Sequence, residues 1–260
     1  MARAVLLDID GVLTTSWRPL AGAAECIRWL QEHDVGFRLV TNTSSKSRRE
    51  IAADLAAVGV QVDGREILTA VTAASRYLAV HHPGLDCYIV NEGELTEDLR
   101  GVTAVGPESA GVVLLGGAGP STGYIELNNV FRLAMDGVPV VALHRNTHFQ
   151  SGDGPVLDMG AFLSGIEAAA GIDIPVVGKP ARAFFDAALF DLGVSAADAL
   201  MVGDDIRSDV LGAQALGVVG VLVKTGKFRP ADLEVAAPDH VIDGIGDLPD
   251  LLQRMEAAEA

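Results

Sequence analysis

Two aspartates follow a short apolar segment near the amino terminus. The apolar run 4–7 leads directly into Asp8-Ile9-Asp10-Gly11. Because side chains alternate along an extended chain, the two carboxylates start on the same face and can share one small site. Two ionised carboxylates at this spacing repel each other unless Mg²⁺ or a lysine offsets their charge, and that arrangement suits phosphate chemistry. Taken alone, the pattern is equally compatible with a strand that ends in an ordinary Asp-Gly turn.

Three later segments share this layout, in which an apolar run ends at polar and turn residues. The polar residues in question are Thr41 and Asn42 after residues 37–40, Lys179 after residues 174–177, and Asp204 after residues 199–202. Read as parallel strands, the segments bring these side chains to the same sheet edge as the two amino-terminal aspartates. A carboxylate nucleophile, hydrogen-bond donors, one ammonium and further carboxylates for Mg²⁺ are the groups that phosphoryl transfer to an aspartate requires.

Taken together, these segments resemble the motifs of the haloacid dehalogenase superfamily of aspartate-nucleophile phosphatases, and the resemblance covers nearly the whole chain. The matching segments, in family order, are Asp8-x-Asp10-Gly-Val-Leu, Thr41-Asn42, Gly178-Lys179-Pro180 and Gly203-Asp204-Asp205-x-x-x-Asp209. The segment Lys224-Thr225-Gly226-Lys227-Phe228-Arg229-Pro230 is most similar to the type IIA branch. The resemblance implies an α/β fold with a Rossmann-like parallel-sheet core and an inserted α/β cap of the C2 type.

The middle of the chain has an alternation of its own. Strand-like segments at 87–90, 111–115 and 139–143 alternate with helix-like segments at 92–100, 124–135 and 159–170. Such an alternation is typical of a separate α/β layer. We therefore expect an inserted cap domain at residues 79–173 and a core made of residues 1–78 and 174–260. In the family that the chain resembles, the cap covers the site and selects the leaving group.

The resemblance, together with charge and position, suggests a role for each site residue. Asp8 is expected to be the nucleophile and a Mg²⁺ ligand. Asp10 is expected to bind Mg²⁺ through its main-chain carbonyl and to use its carboxyl as general acid and base. Thr41 and Asn42 are expected to bind the phosphoryl oxygens. Lys179 is expected to offset the charge of Asp8 and of the phosphate.

Three further aspartates belong to the last motif. Asp204 is expected to be the third protein ligand of Mg²⁺. One of Asp205 and Asp209 is expected to orient a metal-bound water, and the alternative for each is a solvated or helix-capping carboxylate. In the cap, Arg145 and His148 are candidates for substrate selection, and the alternative is a polar surface loop.

Bulk properties limit the partners and the location. The formal net charge of −16 disfavours nucleic acid and anionic membranes, which are polyanions. No apolar stretch has the length of a membrane span and no signal-peptide pattern is present, so we expect a cytoplasmic protein. Cys26 and Cys87 are isolated and are expected to be buried thiols. The expected partner is a small phosphorylated substrate, and a homodimer formed through the cap is left open.

The predicted function is Mg²⁺-dependent hydrolysis of a small phosphorylated metabolite. A mutase of the same superfamily stays open. A receiver-like phospho-acceptor module combines similar side chains, but it has no use for an insertion of this length. A dehalogenase would need neither Mg²⁺ nor an acid at Asp10. Pyrophosphate, phosphoamino acids, sugar phosphates, phosphoglycolate and nucleoside monophosphates all remain candidate substrates.

Overall fold

A computed structural model describes residues 4–151 and 154–259 of the chain. Contacts within the chain divide it into two compact units. The first contains Met1–Thr41, Arg48–Leu68 and Lys179–Ala260, and the second contains Asn42–Ser47 and Thr69–Gly178. The second unit therefore contains the short segment 42–47 and residues 69–178, whereas the sequence analysis gave the cap as residues 79–173.

Strands and helices alternate along most of the chain. The strands of the described residues are β1 (Ala4–Asp8), β2 (Thr14–Thr15), β3 (Arg18–Pro19), β4 (Gly36–Thr41), β5 (Ile67–Thr69), β6 (Cys87–Val90), β7 (Val112–Leu115), β8 (Val140–Ala142), β9 (His148–Ser151), β10 (Gly154–Leu157), β11 (Ala199–Gly203), β12 (Val219–Val223) and β13 (His240–Ile242). The α-helices are α1 (Ala23–Glu32), α2 (Arg48–Ala57), α3 (Ala70–His81), α4 (Tyr124–Met135), α5 (Met159–Ala170), α6 (Arg182–Leu192), α7 (Gly212–Gln214), α8 (Asp232–Val235) and α9 (Leu248–Glu259). Within the described part of the chain, no helix is both long enough and apolar enough to cross a membrane.

A six-stranded sheet with the order β13-β12-β11-β1-β4-β5 forms the centre of the first unit. Strand β1 pairs in parallel with both β11 and β4, and the parallel pairing continues from β11 to β12 and β13. The chain builds outward from β1 through β4 on one side and through β11 on the other, so the strand order reverses at β1. Ligands of open α/β sheets bind outside the carboxyl ends of the strands at such a reversal. The residue at that position is Asp8.

The core of the first unit explains why residues 4–7 of β1 are an unbroken apolar run. A parallel sheet that is covered on both faces buries every residue of its central strands, and all five residues of β1 are buried. Helix α1 packs on this core with apolar residues at the spacing of one helical face. These residues are Ala23, Cys26, Ile27 and Leu30. Cys26 and Cys87 are free buried thiols, which confirms the prediction for both.

The second unit contains a parallel sheet with the order β6-β7-β8. Alternate residues of β7 face opposite sides of this sheet, because successive side chains of a strand point in opposite directions. Val112 and Leu114 pack in a cluster with Leu78 of α3. Val113 and Leu115 pack in a second cluster, which contains residues of α4 and α5. The α/β layer predicted for this region is present.

The predicted helix over residues 92–100 is wrong, because this segment forms turns and bends. The side-chain amide of Asn91 donates to the carbonyl of Glu92 at 2.7 Å. In a helix, the carbonyl of Glu92 would accept a hydrogen bond from a backbone amide further along the chain. Here it accepts from the side chain of Asn91 instead. Leu95 and Leu99 are nevertheless buried, which accounts for the helix-like spacing of apolar residues.

The predicted core strand over residues 174–177 is also wrong. Val176 forms an isolated parallel bridge with Ala142 of β8, in the second unit. The amide of Ala142 donates to the carbonyl of Pro175 at 2.9 Å, and the amide of Val177 donates to the carbonyl of Ala142 at 3.0 Å. The segment thus uses its backbone groups on the sheet of the second unit. An apolar run would suit a strand of the central sheet as well as an extended segment beside β8. Composition alone therefore could not show which sheet the segment joins.

Candidate active site

A buried lysine binds two aspartates at the carboxyl end of β1. Nζ of Lys179 lies 2.7 Å from Oδ1 of Asp8 and 2.7 Å from Oδ1 of Asp209. All three residues are buried. Burial by itself would lower the pKa of Lys179, but the carboxylates of Asp209 and Asp8 outweigh it and hold this pKa above its ordinary value. The side chain of Lys179 is therefore an ammonium at neutral pH.

Asp209 is positioned by the π-helix Ile206–Leu211, which follows β11. Burial raises its pKa to about 6, the ammonium of Lys179 opposes the shift, and the charge of Asp8 adds to it. The side chain is 1% exposed, so it is neither solvated nor a surface cap. The structure thus places Asp209 inside the carboxylate cluster, whereas the sequence analysis had considered it for the water shell of the metal.

Asp204 directly follows β11 and is 1% exposed. Its Oδ2 accepts a hydrogen bond from the backbone amide of Lys227 at 2.7 Å. Its Oδ1 is buried and has no hydrogen-bond partner among the described residues. Burial first, and then the charge of Asp8, raise the pKa of Asp204 to about 7. The site therefore holds this carboxylate at an electrostatic cost that a cation would offset.

The three buried aspartates form a set of donors that fits Mg²⁺. One carboxylate oxygen from each of Asp8, Asp204 and Asp209 lies within 4.8 Å of the others. Mg²⁺ prefers oxygen ligands, and the unpartnered Oδ1 of Asp204 is an oxygen that the ion would satisfy. The predicted metal contact of the Asp10 carbonyl is not part of this side-chain set and stays a prediction.

Asp10 differs from Asp8 in exposure, and a turn begins at Gly11, directly after it. Asp10 is exposed, and its Oδ1 accepts a hydrogen bond from the amide of Ser16 at 3.2 Å. Gly11 has a φ of 94°, and a side chain at this position would collide with the carboxylate of Asp204. The site therefore has one buried carboxyl, that of Asp8, and one carboxyl in contact with solvent, that of Asp10. Contact with solvent allows such a carboxyl to exchange protons with water.

The two residues expected to bind phosphoryl oxygens lie in different units. Thr41 is the buried last residue of β4, one residue beyond Val40, which is paired in register with Asp8. Asn42 belongs to the second unit, where its Oδ1 lies against Gly178, since a Cβ added at Gly178 would lie 2.5 Å from it. The binding of phosphoryl oxygens by Thr41 and Asn42 stays a prediction.

Asp205 lies at the start of the π-helix and acts as its cap. Its Oδ1 accepts from the amides of Arg207 at 3.0 Å and Ser208 at 3.1 Å. Burial would raise the pKa of Asp205, but the hydrogen bond from Ser208 and the charge of Lys227 hold it below its ordinary value. These contacts favour the capping alternative for Asp205.

The loop after β12 contributes contacts to the site that the sequence analysis did not assign. The hydroxyl of Thr225 donates to the carbonyl of Gly11 at 2.5 Å, and the amide of Lys227 binds Asp204 as described above. In the sequence, the one indication that this loop lies near the site was its position directly after the apolar run that forms β12. A backbone donor leaves no mark in residue types, so its role could not be predicted.

The cap candidates Arg145 and His148 lie in the second unit. Arg145 donates to Glu167 of α5 through both terminal nitrogens, at 2.9 Å and 2.5 Å, and to the carbonyl of Ile174 at 2.8 Å. The guanidinium is therefore occupied by contacts within the unit. His148 begins β9, and its Nδ1 lies 3.1 Å from the hydroxyl of Thr147. Substrate selection by His148 stays a prediction, whereas the contacts of Arg145 favour a structural role over the selection that the sequence analysis considered for it.

Comparisons with known proteins identify the family. Residues 5–104 match the family described as haloacid dehalogenase-like hydrolase, and residues 176–248 match a HAD-hydrolase-like family. The chain is 36% identical over 236 residues to haloacid dehalogenase-like hydrolase domain-containing protein 2 of Mus musculus. The aligned residues make up 91% of this chain and 89% of that protein. This chain belongs to the haloacid dehalogenase-like hydrolases, as its motifs predicted.

Two further likenesses concern named phosphatases. The phospholysine phosphohistidine inorganic pyrophosphate phosphatase of Homo sapiens is 36% identical over 259 residues, or 96% of this chain and 94% of that protein. The structure of p-nitrophenyl phosphatase from Archaeoglobus fulgidus matches with a TM-score of 0.90 and 28% identity, over 96% of this chain and 99% of that one. These findings confirm the predicted α/β fold class and the prediction of an enzyme of the phosphatase type.

Proposed function

We propose that this chain is a Mg²⁺-dependent phosphatase that hydrolyses a small phosphorylated metabolite through an aspartyl phosphate on Asp8. The observation that carries the proposal is the buried cluster at the end of β1, where Lys179 binds Asp8 and two more carboxylates lie within reach of one cation. The names of the relatives, a pyrophosphate phosphatase and a p-nitrophenyl phosphatase, support the same class of reaction.

The first half of the reaction forms the phosphoenzyme. An oxygen of Asp8 attacks phosphorus, and the bond from phosphorus to the leaving oxygen breaks. The carboxyl of Asp10 donates a proton to that oxygen. Lys179 stays protonated and offsets negative charge on Asp8 and the phosphoryl group, while Asp209 holds its ammonium in place. Bound Mg²⁺ would supply further charge compensation, held by Asp8, the Asp10 carbonyl and Asp204.

The second half regenerates the enzyme. Water attacks phosphorus, Asp10 accepts a proton from that water, and the bond between phosphorus and Asp8 breaks. Phosphate leaves and Asp8 is again a carboxylate. The exposure of Asp10 supports this role, because its proton can then exchange with solvent.

The remaining parts of the proposal concern the residues around the reacting atoms. Thr41 and Asn42 bind the phosphoryl oxygens, and residues 79–173 act as a cap that selects the leaving group. We place the enzyme in the cytoplasm, with a small phosphorylated molecule as its partner. A homodimer through the cap is a further part of the proposal, and sedimentation of the purified protein tests it.

A panel of phosphorylated metabolites, assayed with Mg²⁺ and with a chelator, tests the proposed function. The panel should contain C–O–P, N–P and P–O–P bonds, because the relatives' names include phospholysine, phosphohistidine and pyrophosphate. We expect phosphate release that requires Mg²⁺ and disappears in Asp8→Asn, which keeps the shape of the side chain and removes the attacking charge. Full turnover in the chelator, or in Asp8→Asn, would contradict the proposal. Conversion of a substrate to an isomer without release of phosphate would favour a mutase.

A further inference from the structure

Three consecutive residues after β12, which we call the clasp loop (residues 225–227), contact two parts of the site that are distant in sequence. The hydroxyl of Thr225 donates to the carbonyl of Gly11, and the amide of Lys227 donates to Oδ2 of Asp204. One end of the loop is therefore tied to the turn that carries Asp10. The other end is tied to a predicted ligand of Mg²⁺.

The middle of the clasp loop packs directly against the carboxylate of Asp204. A Cβ at Gly226 would collide with Oδ2 of Asp204 and would lie 2.5 Å from Cα of Gly11. A Cβ at Gly11 would collide with the same oxygen. The carboxylate of Asp204 thus lies between two glycine backbones, both of which have positive φ, 94° at Gly11 and 60° at Gly226.

The consequence is a difference between the two oxygens of Asp204. Oδ2 is covered by two glycines and holds an amide hydrogen bond, whereas Oδ1 is buried and has no partner among the described residues. A half-turn would only exchange the two equivalent oxygens, but turning the carboxylate out of its plane would break the bond to Lys227 and leave its amide unpaired. Such a contact fixes the orientation of a ligand before the metal binds.

We propose that the clasp loop is a positioning element that orients Asp204 so that Oδ1 alone is available to Mg²⁺, and that it ties this ligand to the turn bearing Asp10. This inference rests on the proposed function, since it assumes that Asp204 binds the ion. The residues of the loop act through Asp204 and Gly11 and do not contact the reacting atoms.

Gly226→Ala tests the loop, with Gly193→Ala as the matched control. Gly193 has a φ of 66°, close to the 60° of Gly226, but a Cβ there would have no atom within 4 Å. Both variants therefore carry similar backbone strain, and only Gly226→Ala collides with Asp204. Substitutions that disturb the partners of a metal ligand typically cost about 10–100-fold in affinity. We expect a loss of that size in Mg²⁺ affinity, measured by titration calorimetry, for Gly226→Ala and none for Gly193→Ala.

A second pair of variants removes one hydrogen bond without adding volume. Thr225→Val lacks the hydroxyl that binds Gly11, and Thr225→Ser restores it. We expect Thr225→Val to bind Mg²⁺ more weakly than wild type and Thr225→Ser to bind it normally. At saturating Mg²⁺, both Gly226→Ala and Thr225→Val should regain part of their phosphatase activity, because the chemical groups of the site are intact. If Gly226→Ala fails to fold, the comparison of Thr225→Val with Thr225→Ser still tests the positioning role of the clasp loop.

The outcomes separate this inference from the proposed function. Equal Mg²⁺ affinity in Gly226→Ala and Gly193→Ala, or in Thr225→Val and wild type, would overturn the positioning role while leaving the phosphatase proposal intact. A wild-type protein that binds no Mg²⁺ would overturn both. A folded Gly226→Ala variant with weakened Mg²⁺ binding, beside a normal Gly193→Ala variant, supports the inference.

Discussion

The ammonium of Lys179 lies 2.7 Å from the carboxylate of Asp209. The same ammonium contacts Asp8 at the same distance, and Asp204 lies within reach of both carboxylates. The cluster therefore contains more acidic groups than its buried lysine can neutralise. This imbalance determines how the site responds when a charge is removed or a cation is added.

Removal of the buried ammonium should destabilise the metal-free protein strongly. Lys179→Met leaves Asp8 and Asp209 without their shared cation, and loss of one partner from a buried pair costs about 3–5 kcal/mol. Lys224→Met is the control, because Lys224 pairs at 2.8 Å with Asp243 at the surface, where the two side chains are 46% and 83% exposed. An exposed pair contributes about 0–1 kcal/mol. Urea unfolding at pH 8 in a chelator measures both, and equal losses would contradict the prediction.

Removal of a charge from Asp204 should have the opposite effect on the metal-free protein. Its folded pKa of about 7 lies above the ordinary value of 3.8, so the cost of ionising it is fully present above pH 7 and disappears as the pH falls. Asp204→Asn removes this charge and keeps an oxygen for the amide of Lys227. We expect it to be more stable than wild type at pH 8 in a chelator, by roughly 1–4 kcal/mol.

The same two proteins, wild type and Asp204→Asn, can also be compared in the presence of Mg²⁺. We expect the ion to raise the melting temperature of wild type and to have little effect on Asp204→Asn, because the variant lacks a charged ligand. An equal rise in both proteins would show that Asp204 does not bind the ion.

Arg145 should contribute to stability and leave substrate preference unchanged. Arg145→Ala removes three hydrogen bonds to Glu167 and Ile174, and bonds to charged groups contribute about 1.5–3 kcal/mol each before solvent exposure reduces the effect. Arg182→Ala is the control, because Arg182 forms an exposed pair with Asp186 one helical turn away. A change in relative kcat/KM among substrates, without loss of stability, would restore Arg145 as a selectivity residue.

The contribution of this pair should depend on pH in a defined direction. The hydrogen bond from Arg145 holds the pKa of Glu167 below its ordinary value of 4.5. The stabilisation is therefore present above the unfolded pKa and is lost as the pH falls through the lower folded pKa. The stability difference between wild type and Arg145→Ala, measured by urea unfolding from pH 7 to pH 3, should shrink at the acidic end. A difference that stays constant to pH 3 would contradict the ion pair.

Asp10→Asn should discriminate between leaving groups. An alkoxide leaves slowly without a proton, and a positioned acid contributes roughly 10²–10⁴-fold to such a step. Nitrophenolate needs little help. We therefore expect Asp10→Asn to lose far more activity on alkyl phosphates than on nitrophenyl phosphate, in single-turnover formation of the phosphoenzyme. Equal losses on both substrates, with unchanged Mg²⁺ affinity, would remove Asp10 as the acid.

Local sequence was sufficient for the features that depend on neighbouring residues. The buried strand that ends at Asp8 is visible as a continuous apolar run, because a strand covered on both faces has no polar side. The turn at Gly11 and the family follow from residue types at short spacing. The helix-like spacing of residues 92–100 was misleading, because buried leucines at helical intervals also suit a turn-rich segment whose carbonyls bind the side chain of Asn91.

Tertiary structure decided the features that depend on distant contacts. Asp204, Asp205 and Asp209 lie within one motif, yet burial and partners put only Asp204 and Asp209 in the carboxylate cluster, while Asp205 caps a helix. The bond between Thr225 and Gly11 joins residues 214 positions apart through a backbone acceptor. Every residue carries such an acceptor, so its use is determined by where the folded chain places it and cannot be identified from residue type.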